Sequence, residues 1–251
     1  MIVLGPAAQP ALSDFDEMWE GANQLSCPDY ASPDETAWSQ TCQWQKAVAW
    51  HVPEVLKYYP AGSQHNAFAL FRTAYFKEAD HTYDSVLGAA HSSIDAIHVN
   101  FSLELICMAN LLVPDVCTND NSLSWMQAMM SAIEQNHVRV RIIVENANSN
   151  GLENRVAIKV FQDELAKRGL SDYVEIRFFN GRLHMKSALI DQQLLLVGSQ
   201  NFHYSSFGDK GLLEFVVASD DPTAIDTYQQ MFEYYWEQAI PLQDADWANV
   251  N

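Results

Sequence analysis

From residue 67 onward the apolar positions fall into short runs suited to strands, separated by stretches of helical period. Ala67–Phe71 is a short apolar run, long enough for a strand. A helical stretch near Asp80–Ala90 follows, then a second apolar run at Ile94–Phe101. Leu123, Trp125, Met126, Met129, Met130 and Ile133 recur at spacings that place them on one face of a helix. Val138–Val144 opens with strict alternation, the mark of a strand. Glu153–Arg168 predicts a helix that stops at Gly169, a residue suited to the left-handed turn ending many helices. Strands are predicted at Val174–Phe179, Leu183–Ile190, Leu194–Val197 and Leu213–Ala218, and a helix at Pro222–Gln238. Strands and helices in this succession predict an α/β fold, a mixed β-sheet flanked by helices on both faces.

The chain before this region reads differently. Cys27–Glu35 is turn-rich and acidic, and Trp38, Trp44 and Trp50 recur every six residues, which is no helical period. Residues 26–65 are therefore expected to form an acidic, irregular N-terminal excursion, with its tryptophans packed or forming a ligand platform. Phe15–Ala22 also matches Phe232–Ala239 as F-[DE]-x-x-W-E-x-A, and each copy follows an apolar stretch, Ile2–Leu4 and Phe215–Ala218. Two readings stand: chance likeness of two amphipathic helices, or the closing strand and helix of an earlier unit. The expected division is 1–65, closing strand and helix plus excursion, and 66–251, the α/β unit.

Charge narrows the chemistry. Fourteen Lys and Arg face 32 Asp and Glu, a net of −18, so no bulk basic surface for nucleic acid exists. Residues 1–138 hold only Lys46, Lys57, Arg72 and Lys77 as cations, whereas 139–186 hold nine. A polyanionic substrate would need a small local positive site. No run of about 18 apolar residues marks a transmembrane helix. The opening Met1–Pro6 is too short for a signal sequence and lacks a basic start. Cys27, Cys42, Cys107 and Cys117 lack the spacing of a zinc site. Local disulfides 27–42 and 107–117, with the oxidising compartment they imply, and four buried thiols are equally open. Acidity and paired cysteines lean toward an exported protein.

The chemistry-bearing stretch is His184-x-Lys186-x₄-Asp191-x₆-Gly198-Ser199-x-Asn201. His184 and Lys186 are two apart on a predicted strand and share a face. Asn201 follows the next strand after a Gly-Ser turn that brings it back alongside. An imidazole, an ammonium, a carboxamide and a hydroxyl then converge. Such a set suits a phosphoryl group: Lys and Asn hold non-bridging oxygens, while His attacks phosphorus or protonates a leaving oxygen. No carboxylate cluster accompanies it, so neither a metal nor another cofactor is expected.

This stretch resembles, at every position, the HxKx₄Dx₆GSxN signature of the phospholipase D superfamily, and the likeness extends loosely over residues 67–240. Gly211–Val217 is similar to the strand on which that family carries an acidic residue. The resemblance implies an αβα sandwich and metal-independent phosphodiester chemistry through a covalent phosphohistidine. It makes His184 catalytic, as nucleophile or general acid, and Lys186, Ser199 and Asn201 phosphate ligands or their supports. Glu214 would orient His184 through its second ring nitrogen, Gly198 would form the turn, and Asp191 would be structural.

The family uses facing pairs of this motif, and this chain carries one. His98-Val99-Asn100 lacks the lysine, and His51, Lys77 and His81 have no matching context, so each reads as an ordinary core or surface residue. The second motif is expected from a homodimer mate or from an N-terminal half. The echo at 15–22 favours a C-terminal half, with His184 then the general acid. Lipid, transferase (cardiolipin synthase type) and nuclease members share the signature. The charge favours a phospholipid substrate, and Phe178, Phe179, Phe202, Tyr204 and Phe207 either line an apolar groove with peripheral membrane contact or pack in the core. A non-catalytic phosphate-binding half is the reading from another class.

Overall fold

The computed structural model describes residues 65–73, 76–113, 116–146, 148–208 and 211–241, with residues 12, 15, 16, 22–27 and 42–46. The chain divides into two compact units, Met1–Gln64 and His65–Asn251. In the first unit, β1 (Asn23–Ser26) pairs antiparallel with β2 (Gln43–Lys46), and Cys27–Cys42 closes the ladder next to Ser26. Trp44 on β2 is exposed. Trp38, Trp50, Ile2–Leu4 and most of the sequence echo at 15–22 lie outside the described residues.

The second unit is built on an eight-stranded mixed sheet. Its elements are β3 (Ala67–Arg72), α1 (Glu78–Gly88), β4 (Ser93–His98), α2 (Ser124–Asn136), β5 (Arg139–Glu145), α3 (Asn148–Arg168), β6 (Val174–Phe179), β7 (Lys186–Ile190), β8 (Leu194–Gly198), α4 (Tyr204–Phe207), β9 (Glu214–Ser219), α5 (Pro222–Gln238) and β10 (Ile240–Pro241). The strand order is β10-β6-β5-β4-β7-β8-β9-β3. β4, β5 and β6 run parallel, and every other pairing is antiparallel.

Alternation along the central strands splits their side chains between two cores. Ile94 and Ala96 of β4, with Val140, Ile142 and Val144 of β5, pack beneath α1, α2 and α3 around Trp125, Phe101 and Phe161. Ile97, Ile143, Leu189 and Leu195 face the other way, against Ile225, Tyr228, Phe232 and Trp236 of α5. Helices thus cover both faces, as the pattern predicts. Arg141 secures α5, bonding Asp95 at 2.7 Å and Glu233 at 2.7 Å with its guanidinium over the Phe232 ring.

Three expectations change at the sheet end that matters for function. β4 stops at His98 rather than Phe101. There Asn154 of α3, fully buried, accepts the Phe101 amide at 2.7 Å and donates to the Val99 and Glu145 carbonyls. The β7 strand begins at Lys186 rather than Leu183, so His184 precedes the strand instead of lying on it. The segment after β4 forms a short 3₁₀ helix, Leu105–Leu111, tied by Cys107–Cys117, where the apolar pattern gave no warning.

Candidate active site

Topology assembles the site. Because β7 runs against β4, its first residue, Lys186, stands opposite the last residue of β4, His98. β8 runs back toward that same end, and β9 starts there with Glu214. The ends of β4, β5 and β8 and the starts of β7 and β9 therefore meet at one end of the sheet.

At this end His184 is exposed and Lys186 is buried. Lys186 Nζ lies 3.2 Å from His184 Nε2 and 3.0 Å from the His184 carbonyl oxygen. Burial lowers the Lys186 pKa, and the carboxylates of Glu214 and Glu145 oppose that shift. Glu145, at the end of β5, also accepts the Leu183 amide at 3.2 Å, which fixes the chain entering the motif.

Gly198 ends β8 where no side chain fits. A Cβ there would lie 2.2 Å from the Phe215 carbonyl oxygen and 2.6 Å from Val216 Cα. That close approach lets Ser199 reach β9 twice, its amide donating to Phe215 O at 2.8 Å and its hydroxyl accepting the Phe215 amide at 2.9 Å. The Ser199 hydroxyl also donates to Glu214 at 2.5 Å, and Ser206 on α4 donates to the other Glu214 oxygen at 2.5 Å. Both oxygens of the Glu214 carboxylate thus hold serines in this structure. Ser206 further accepts the Asn201 amide at 3.2 Å, while Asn201 Oδ1 is buried with no partner among the described residues.

Asp191 lies at the opposite end of β7, away from this cluster. Its carboxylate accepts the amides of His91, Ser92 and Ser93 and the Ser92 hydroxyl, at 2.7–3.1 Å, and so caps the start of β4.

Several supports were not foreseen from the sequence. Arg72, fully buried, lies 2.9 Å from Asp80 Oδ1 and donates to the carbonyls of Leu212 and Gly208 at 2.8 and 2.9 Å. Gln200, inside the motif, donates to Asp80 at 2.9 Å. These bonds tie the loop ahead of Glu214 to the turn after Gly198. The sole sequence hint was that Arg72 is a cation in a region nearly devoid of them. Of the five aromatics near the motif, Phe178, Phe202 and Phe207 are buried and pack in the core, whereas Phe179 and Tyr204 are partly buried. Among the described residues, no group of three or more His, Cys, Asp or Glu is placed to hold a metal ion, and no helix is long and apolar enough to cross a membrane.

Comparison with known proteins places this architecture. The family model described as cardiolipin synthase, PLD-like domain, matches residues 85–236. No curated protein matches the chain. The solved phospholipase D family member Nuc from Salmonella typhimurium is similar over 71% of this chain and 98% of its own, at 16% identity and a TM-score of 0.52. NucT from Helicobacter pylori is similar over 71% of this chain and all of its own, at 17% identity and a TM-score of 0.50. The phosphatidylserine synthase of Haemophilus influenzae is similar over 82% of this chain at 13% identity and a TM-score of 0.51, and the match covers 44% of that protein. At these identities the likeness speaks for the fold. The family match runs from within α1 to within α5 and contains every motif position; the chain belongs to the phospholipase D superfamily, in the family of cardiolipin synthase-type PLD-like domains, and carries its phosphodiesterase and phosphatidyltransferase fold.

Proposed function

We propose that this chain supplies a histidine-centred site for cleaving or transferring phospholipid phosphodiesters. The 3.2 Å approach of Lys186 Nζ to His184 Nε2 carries the proposal. An ammonium only donates, so Nε2 is the acceptor in this contact, and His184 is exposed at this end of the sheet.

In the nucleophile role, Nε2 attacks phosphorus, a P–N bond forms, and the P–O bond to the leaving alcohol breaks. The alkoxide takes a proton from a second histidine, and water or an alcohol then displaces Nε2 from phosphorus. In the acid role, His184 donates that proton and the partner motif supplies the nucleophile. Lys186 and Asn201 hold the non-bridging oxygens, where negative charge builds up. Ser199, Gly198 and Glu214 keep Asn201 and the turn in place. The partner motif comes from a second copy of this chain or from an N-terminal half. The reading draws on the family description and on the net charge of −18, which disfavours a nucleic acid lying on the surface.

The test offers a short-chain phosphatidyl substrate in micelles and, separately, an oligodeoxynucleotide, both in EDTA. Release of phosphatidic acid, lost in His184→Ala, supports the phospholipid reading. Cleavage of the oligonucleotide with the lipid left intact replaces it with a nuclease. Specific activity that rises with chain concentration identifies the homodimer, whereas dependence on an added N-terminal half identifies the two-motif protein.

A further inference from the structure

We infer that His98 is a positioning residue of this site: its Nδ1 holds the backbone amide of Phe202, its ring clamps the Phe202 side chain, and together they fix the adjoining Asn201. The inference rests on the functional reading of His184, Lys186 and Asn201 given above.

His98 is the last residue of β4 and the register partner of Lys186, so both side chains lie on the same face of the sheet. It is fully buried. Phe202 donates its amide to His98 Nδ1 at 3.3 Å, across 104 residues of sequence. The two rings stack at 3.7 Å and 11°, and Trp125 stacks against Phe202 at 4.4 Å and 7°. Phe202 is thus sandwiched between an imidazole and an indole. Its carbonyl is taken as well, accepting the Ser102 amide at 2.7 Å.

The protonation state of His98 follows from these contacts. A ring nitrogen that accepts an amide must be unprotonated, so the proton sits on Nε2. Burial and the Lys186 ammonium push the His98 pKa down to about 3. The imidazole therefore stays neutral and keeps its acceptor beside a charged lysine. No aliphatic residue offers both the acceptor and the flat face. Asn201, one residue before Phe202, has its amide on Ser206 at 3.2 Å and its carbonyl on the His203 amide at 2.8 Å. The backbone on both sides of the Asn201 side chain is then held, with His98 as the anchor on the Phe202 side.

Two substitutions in the full chain, assayed with whichever partner motif supports turnover, separate positioning from packing. His98→Phe keeps the stack and removes the acceptor. His98→Asn places an amide oxygen near the former Nδ1 and removes the stack. Positioning predicts that His98→Phe keeps a cooperative fold while kcat falls about a hundredfold with KM little changed. It also predicts that His98→Asn recovers most of that loss despite a lower Tm. A packing role predicts the reverse order, and wild-type kcat in His98→Phe overturns the inference. Nitrogen-15 NMR of the wild type reads the geometry without any turnover. The expected signature is an unprotonated, hydrogen-bonded Nδ1 from about pH 5 to 8, with a Phe202 amide protected from exchange. An imidazolium, or a rapidly exchanging Phe202 amide, overturns the inference. Absence of diester turnover with that NMR signature intact would sink the functional reading instead.

Discussion

Lys186 reaches His184 at both ends, with Nζ 3.2 Å from Nε2 and 3.0 Å from the main-chain carbonyl of the same residue. The contact forms even though His184 stands before β7 and Lys186 opens it. Of the two ring nitrogens it is Nε2 that faces the ammonium. The same lysine is buried, which lowers its pKa, and the charges of Glu214 and Glu145 act against that shift. The positive charge that the acidic chain lacks at large thus has one member placed beside the imidazole of His184.

Gly198→Ala should separate β8 from β9. The added methyl meets the backbone at Phe215 and Val216, which cannot swing aside as a side chain can. A stability loss of about 2 kcal/mol is expected from overpacking, together with loss of turnover as Ser199 leaves Glu214. Urea denaturation and a diester assay on the same preparation check both effects.

Arg72→Met should cost about 3–5 kcal/mol, because it leaves the Asp80 carboxylate buried without its guanidinium. Arg72→Lys should rescue little. A single ammonium cannot reproduce the fork that reaches Asp80, Gly208 and Leu212 together. Chemical denaturation of the two variants beside wild type tests this ranking.

Asp191 gives a pH dependence of known sign. Burial opposes its ionised form, but hydrogen bonds from the Ser93, His91 and Ser92 backbone outweigh burial and hold its pKa below the ordinary 3.8. A depressed carboxyl pKa stabilises the fold above the unfolded value, and that stabilisation fades as pH falls through the folded value. Asp191→Asn tolerates the φ of 53° and removes the charge. It should be less stable than wild type by about 1–2 kcal/mol near neutral pH, and the gap should close below about pH 3.8. Thermal melts across that range measure it.

Cys107–Cys117 closes a short loop, ten residues apart in sequence, next to the end of β4. Replacing both cysteines with alanine should lower stability by about 3 kcal/mol through the freed unfolded chain. The described residues contain no free cysteine, so thiol titration in denaturant should find none until a reductant is added.

The layered fold was legible because the central strands and α2 and α5 keep clean periods, and Val174–Phe179 and Pro222–Gln238 match the predicted bounds. Strand ends were not. Val99 and Phe101 are as buried as the strand before them, so apolarity continued past the point where β4 leaves the ladder. Leu183 and Met185 pack against the α5 core without joining β7, which made the strand look longer than it is. The motif was readable because its spacing is itself local. Its supports are not local: Arg72 reaches carbonyls 136 and 140 residues away, and His98 meets Phe202 across 104. Glu214 likewise is held by two serines, 15 and 8 residues away, one of them on the short α4 turn.

The central claim is that phosphodiester chemistry on this chain runs through His184. The most direct measurement is hydrolysis of a chromogenic phosphodiester in EDTA, over a range of chain concentrations and with any N-terminal half present, for wild type beside His184→Ala. Turnover that resists EDTA and disappears in His184→Ala is the predicted result. Equal turnover by the two proteins, or none from a folded wild type with its partner motif supplied, would contradict it.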